Sequence, residues 1–597
     1  MNDFGYSEEG KIGSVGDIRL WGRILVFCAR YRLALTGAVV LSMLVTGASL
    51  VLPTLMQTGI DRYIASPSLG YPERTAGLLR IGIWYGLLVA GIFIASFLQV
   101  VLLEWIGQSV MHLIRQKMFS HTLELDLPYF NAHPTGRLVT RLTNDISNMT
   151  EMFTSVVVTV FNDLLQIAGI MVVLFTLNRK LALLMSVFVP LAALLTLLFA
   201  NLAREQFRAI RSQLAKLNSF LQEAISGMSI LQLFGRQERS RHIFESMSGE
   251  YMRRNMSQVR LFGVFMPLTD LMGSAATALI LWYGGGEIIR RELSLGELVA
   301  FISYMRLFFQ PLRELSQKYS IVQSAMASAE RIFELLDTQR VIALPAAPVV
   351  LPQVRGELCF DRVNFSYDTA NQILHDISLR VPPGRTYALV GTTGSGKTTL
   401  VNLLLRFYAP GSGTITIDGV DIADLEQEAL RQAVGVILQD VFLLQDSLLA
   451  NIIMDTGSSR EKVEEIMKKT GMSRFVERLP HGLDTLIGEG GQELSSGEKQ
   501  LLAFARVLCR NPAILVLDEA TAAIDTESEN ILERAIADSF RDRTSLVVAH
   551  RLSTIRRADR ILVMESGRII EQGTHADLLA AGGHYADLVA IDLSQEG

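Results

Sequence analysis

Two stretches of this chain contain no charged side chain, Leu33 to Ile60 and Ile81 to Leu103. Each exceeds the ~20 residues that cross the hydrocarbon of a bilayer as a helix. A backbone immersed in hydrocarbon must satisfy its own hydrogen bonds, so these runs commit the chain to membrane helices. Further apolar runs follow at about Met152 to Asn178, with Asp163 inside it, and at Leu181 to about Ala203, behind the break Arg179 and Lys180. Another covers about Leu261 to Gly286 and carries Asp270, and a weaker one, about Leu298 to Leu312, is interrupted by Arg306. Six spans are expected, the third and fourth forming a tight hairpin. Only 19% of the residues are charged, below the roughly 25% of soluble proteins, in keeping with a membrane half. A net charge of -5 lacks the basic surplus that draws a protein to a nucleic-acid backbone, so no nucleic-acid partner is expected. Cys28, Cys359 and Cys509 have neither metal spacing nor a disulfide framework.

Residues 1–32 lack the pattern of a cleaved leader and read as an interfacial cytoplasmic segment. Residues 33–325 form the membrane domain, whose connections 104–150 and 204–260 are far longer than the others. These carry much of its Lys and Arg, so they, both termini and the soluble half are expected on the cytoplasmic side, and the inner (cytoplasmic) membrane is the expected location. Apolar residues recur at helical spacing through both connections, so the spans continue as stalks that reverse at Pro128 and Pro134 in "LPYFNAHPTGRL" and at Gly227 in "ISGMSILQLFG". Residues 326–354 are expected as a linker rich in Pro and Ala beyond Asp337, and residues 355–597 as a soluble domain. There, short runs such as "YALVG", "VGVIL", "AILVLDEA" and "TSLVVAH" alternate with helical stretches, the pattern of a mainly parallel sheet covered by helices.

Within that domain "GTTGSGKTT", Gly391 to Thr399, follows an apolar strand and opens a helix, as a phosphate-binding loop must. Gly391, Thr392, Thr393, Gly394, Ser395 and Gly396 supply a loop whose backbone N–H groups can close around phosphates. Lys397 is expected to neutralise the terminal phosphates, Thr398 to ligate magnesium, and Thr399 to belong with them to the nucleotide-binding residues. Farther along, "AILVLDEA" ends in Asp518, suited to magnesium, and Glu519, suited to orient an attacking water; a helix N-cap is the alternative for such a pair. Asp163, Asp270 and Arg306, ionisable and inside spans, suggest either a polar cargo pathway or interhelical ion pairs.

The ordered set "NFSY", "GTTGSGKTT", "VILQD", "LSSGEKQ", "ILVLDEA", "AAID" and "VVAHR", behind six spans in one chain, resembles the ATP-binding cassette exporters of the half-transporter type. The resemblance implies a membrane α-helical domain of six transmembrane helices fused to an α/β P-loop ATPase. ATP and Mg2+ are its cofactors, and its cargo is a hydrophobic small molecule or lipid. It assigns Tyr367 to adenine stacking, Gln439 to magnesium and the attacking water, His550 to the terminal phosphate, and Asp525 to the loop that crosses to a second cassette. Glu489 resembles the acidic residue ahead of the signature, and the two stalk turns resemble coupling helices. Cassettes of this family pair head to tail, so Ser495 and Gly497 would bind phosphate on the partner's ATP. Here Ser496 and Glu498 replace a glycine and the glutamine of the family signature. A heterodimer with a second half-transporter is therefore expected in preference to a homodimer. The rival readings are an ATP-gated channel or regulator, and an importer built on the exporter scaffold.

Overall fold

The computed structural model describes residues 17–595 apart from 67–68, 344, 352, 369–370, 439–440, 455, 489–490, 492–493, 519–525, 541–542 and 550–551. The chain forms two compact units: residues 1–125 with 133–339, and Asp126–Ala132 with 340–597.

Among the described residues the regular elements of the first unit are all helices. Helices Arg32–Gly59 and Tyr71–Glu124 contain the two charge-free runs, and the 54 residues of the second span about 80 Å, so the helix continues well past any hydrocarbon layer. The expected hairpin turns on one residue: Asn178 leaves the helix Val158–Leu177, and its side chain accepts from the backbone of Lys180 and Leu181 to start Arg179–Ser186. The stalks reverse where Pro and Gly interrupt them. Tyr71–Glu124 gives way to the short helix Leu127–Ala132 and then Thr135–Thr140, while Phe188–Ser226 ends at Gly227 before Met228–Leu233 and the return helix Gln237–Ile289.

Five helical segments among the described residues are long and apolar enough to cross a membrane. The sixth expected span is the start of the helix Leu295–Asp337, where Glu297, Arg306 and Gln310 interrupt the apolar residues. Its Leu298, Ala300, Phe301, Tyr304, Met305, Phe308 and Phe309 are buried among neighbouring helices, so protein rather than lipid covers them. Asp61 accepts from Ser294 Oγ (2.6 Å) and Gly296 N (2.8 Å), satisfying one N–H that the start of this helix would leave orphaned and fixing the capping serine. The same helix runs twelve residues into the stretch assigned to the linker, from 326 to Asp337. Polar pairing holds it there: buried Asp145 accepts from Ser328 Oγ (2.8 Å) and Arg331 Nε (2.9 Å), and Arg141 reaches Glu334 at 3.2 Å. Asp163 pairs with Lys318 at 2.8 Å, both side chains nearly buried, which favours the interhelical ion pair for that residue.

The second unit is built on two sheets. The strands are β1 (Leu358–Ser366), β2 (Gln372–Val381), β3 (Thr386–Val390), β4 (Ser412–Ile417), β5 (Val420–Asp421), β6 (Val434–Ile437), β7 (Ile514–Asp518), β8 (Thr544–Val548), β9 (Arg560–Glu565) and β10 (Arg568–Gly573). One sheet is antiparallel, in the order β2-β1-β4-β5; the other runs β10-β9-β3-β8-β7-β6 and is parallel apart from β10. Alternation along the parallel strands divides the core. Ala388, Val390, Leu515, Leu517, Val547, Ile561 and Val563 face one apolar cluster, and Tyr387, Leu389, Ile514, Val516, Leu546, Val548, Leu562 and Met564 face the other. Both faces are covered, which is why these strands read as continuous apolar runs in sequence.

Candidate nucleotide-binding site

β3 and β7 lie on either side of β8, with Leu389 and Asp518 both in register with Val548. The loop that leaves β3 and the carboxylate that ends β7 therefore emerge together at the carboxyl edge of the sheet, where ligands of such folds bind. Gly391 and Gly396 adopt φ of 154° and 101°, and a side chain at either would collide, at 2.2 Å from the Met564 carbonyl oxygen and 2.7 Å from Leu374. Only glycine fits both places, so the loop closes tightly onto the helix Lys397–Leu404. Gly396 caps that helix without a side chain, leaving the N–H groups of its first turn to a ligand.

Lys397 is buried, and its Nζ donates to the carbonyl oxygens of Gly391 (2.7 Å) and Thr392 (3.0 Å), with Ser395 Oγ at 3.5 Å. Burial pushes its pKa down, and the charge of Asp518 opposes that shift. A buried cation thus stands against two backbone carbonyls of the loop and feels the charge of Asp518, beside N–H groups that a phosphate could take. Thr392, Thr393, Gly394 and Thr398 are exposed along the loop, whereas Thr399 is buried. The Thr399 hydroxyl is engaged within the protein, where its Oγ1 accepts from the Tyr367 hydroxyl at 3.2 Å.

Tyr367 follows β1, is 48% exposed, and also takes a hydrogen bond from Asn402 Nδ2 at 3.3 Å. Its ring stands edge-on to Phe365 and Tyr408, with centroids 4.9 Å away in each case. Tyr408 is a residue that the sequence reading missed; its signal was an aromatic directly after the loop's helix, in "RFYAP". Arg406, just before it, is buried and lowered in pKa by that burial, and it donates to the carbonyl oxygens of Ile422, Leu425 and Ala343.

Ser495 and Gly497 are placed elsewhere. The helix Ser496–Arg510 packs its Leu501, Leu502 and Phe504 into the first apolar cluster, while Leu400, Val401, Leu403 and Leu404 of the loop's helix belong to the second. The two helices cover opposite faces of one sheet. Ser495 Oγ accepts from Glu498 N, and Glu498 Oε2 accepts from Ser495 N at 2.8 Å, a reciprocal cap that places the Glu498 carboxylate on the helix N-terminus. Gln439, Glu489, Glu519, Asp525 and His550 lie outside the described residues.

Residues 35–312 match the ABC transporter transmembrane region, and residues 374–522 match the ABC transporter domain. An uncharacterized ABC transporter ATP-binding protein, YknV, of Bacillus subtilis is 36% identical over 96% of this chain and 95% of its own. The ATP-dependent lipid A-core flippase of Thiobacillus denitrificans is 34% identical, with 96% and 99% covered. The fatty acid ABC transporter ATP-binding/permease protein of Mycobacterium tuberculosis is 36% identical, with 82% and 79% covered. Among solved structures, a bacterial Atm1-family ABC exporter with ATP bound superposes with a TM-score of 0.79 at 29% identity, over 94% of this chain and 98% of that one.

Proposed function

The chain belongs to the ABC transporters, as an exporter-type membrane unit fused to an ATPase that drives transport, and on that premise we propose that it exports a lipid or another hydrophobic, amphipathic molecule. The cargo class rests on relatives named for lipid A-core and for fatty acids. The observation that carries the nucleotide reading is the buried Lys397, held by two loop carbonyls and acted on by the charge of Asp518.

In this reading the loop N–H groups and Lys397 bind the phosphates of ATP, and Tyr367 stacks on adenine. Thr398, Asp518 and Gln439 would hold Mg2+, which neutralises phosphate charge when bound. Glu519 orients the attacking water, and His550 contacts the terminal phosphate. The loop and the signature helix lie on opposite faces of one sheet, which supports a composite site with Ser495, Gly497 and Asp525 serving across a head-to-tail pair. The partner is a second half-transporter, a different one in preference to a copy of this chain. The ATPase faces the cytoplasm of the inner membrane. ATP binds the closed pair with its full contact set and so favours the outward-facing arrangement, and loss of the γ-phosphate removes that preference.

The test is flux in inside-out vesicles with fluorescent phospholipid, fatty acid and amphipathic dyes. ATP-dependent accumulation of a lipid, absent from Lys397→Ala vesicles, is expected. Flux in the opposite direction, or equal accumulation in Lys397→Ala vesicles across the whole panel, overturns the reading.

A further inference from the structure

The short helix Leu127–Ala132 belongs to the same compact unit as the two sheets, although the chain on both sides of it belongs to the helical unit. It is tied down at two points. At its start, Asp126 Oδ2 accepts from the backbone of Ile342 at 2.9 Å. At its end, Asn131 Nδ2 donates to the hydroxyl of Tyr408 at 2.8 Å. The first tie is to the segment leading into the sheets. The second is to a ring that packs directly on Tyr367.

Phe365, Tyr367 and Tyr408 form a closed triangle of edge-on contacts, with centroids 4.9, 4.9 and 5.6 Å apart and interplanar angles of 85°, 88° and 70°. Aromatic edges held against faces have a preferred geometry, so a ring that tilts in such a triangle displaces the other two. The backbone beside Tyr408 is held in place, because the Arg406 guanidinium spans three carbonyl oxygens. A change in the angle of Tyr367 is therefore taken up by the Tyr408 ring, whose hydroxyl carries the Asn131 amide. Buried Phe365 closes the triangle from below.

We propose that Tyr408 and Asn131 let the helix Leu127–Ala132 sense the base of a nucleotide stacked on Tyr367, in addition to any response to its phosphates. This rests on the reading of Tyr367 as the adenine-stacking residue. Phosphates alone engage the loop and Lys397, which lie at the other end of the Tyr367 hydrogen bond to Thr399. A base presses on the ring itself. Coupling of this kind is reciprocal, so fixing the short helix also strengthens base stacking. Tyr408 and Asn131 are positioning residues in this scheme, since neither contacts the nucleotide.

The test uses the full chain in lipid nanodiscs, in a Cys359→Ser background, with a spin label on Ala132→Cys. Label mobility is titrated with the magnesium salts of ATP and of inorganic triphosphate, and binding is measured with radiolabelled ATP. ATP is expected to immobilise the label as it binds, whereas triphosphate, at concentrations that displace the radiolabelled ATP, leaves it mobile. Asn131→Ala should lose the label response and lower ATP affinity by only about two- to fivefold, the reciprocal cost of the lost coupling. Tyr408→Phe, which keeps the three-ring packing and removes only the hydroxyl, should do the same. Equal immobilisation by triphosphate and ATP overturns the proposal, as does a parental response in both variants. A parent protein that retains no radiolabelled ATP sinks the nucleotide reading itself, an outcome distinct from ATP that binds without moving the label.

Discussion

Two helix N-termini in the nucleotide-binding unit carry the same backbone dipole and are finished in opposite ways. The helix Lys397–Leu404 begins at Gly396, with no side chain on its first N–H groups and an ammonium at its first position. The helix Ser496–Arg510 begins at Ser495, and its own Glu498 carboxylate supplies the negative charge that the dipole favours. One end is left for a phosphate, while the other is already served by the protein. The two ends also cover opposite faces of the sheet, so whatever the second contributes to ATP goes to a site other than the one built by the first. A single chain therefore carries one helix end without a side-chain cap and one that its own carboxylate caps.

The largest effect expected is at the loop end. Glu519→Gln should leave ATP bound and lower hydrolysis by roughly 100- to 10,000-fold, because the attacking water loses its base while Lys397 remains. Phosphate release measured beside ATP retention decides it, and near-normal turnover removes catalysis from this end of the molecule. Lys397→Ala comes next. Losing the buried cation removes about 3 kcal/mol of charged hydrogen bonding, so ATP affinity should fall on the order of a hundredfold. Equilibrium binding with unchanged affinity would erase the contrast between the two helix ends.

Replacing Tyr129 and Phe130 together by alanine has a smaller and more selective effect. The two rings stand edge-on at 6.0 Å on the short helix Leu127–Ala132. Their loss should cut lipid flux by about tenfold and leave basal ATPase activity in place, since such aromatic anchors hold docking surfaces together. Flux that survives in folded protein shows that this helix carries no load from the ATPase.

How far the sequence led depends on whether a feature is local. The charge-free runs, the glycines of the phosphate loop, and the Pro and Gly of the stalk turns act on their own neighbours, and the fold follows them. Asn178 turns the third span into the fourth by itself, and Gly227 ends a stalk. The sequence was silent where the deciding partner lies far along the chain. Asp163 finds Lys318, 155 residues away, and Tyr408 finds Asn131, 277 residues away, pairs that no spacing predicts. The helix that continues to Asp337 does so through distant partners as well, Asp145 and Arg141, and local composition had suggested a linker from 326. Glu498 was legible as a departure from the family signature, but its pairing with Ser495 recasts it. The charge sits on a helix end rather than standing loose before a nucleotide.

The smallest effect expected is the most informative about assembly. Glu498→Gln combined with Ser496→Gly restores the family signature and removes a carboxylate whose favourable interaction with a helix end is ~0.3–1 kcal/mol. In a homodimer the repaired signature would complete both loops, each with its own Lys397 and Asp518, and ATP affinity should rise about two- to fivefold with turnover following it. In the heterodimer proposed above, the repaired signature faces only the partner's loop, and turnover at the site built from this chain's loop stays unchanged. Purified alone, this chain should then have little ATPase activity, rising when a second half-transporter is co-expressed. A stable homodimer with full ATPase and flux, quickened further by the repaired signature, would show that the two unlike helix ends meet each other in pairs of identical chains, and the heterodimer would have to be given up.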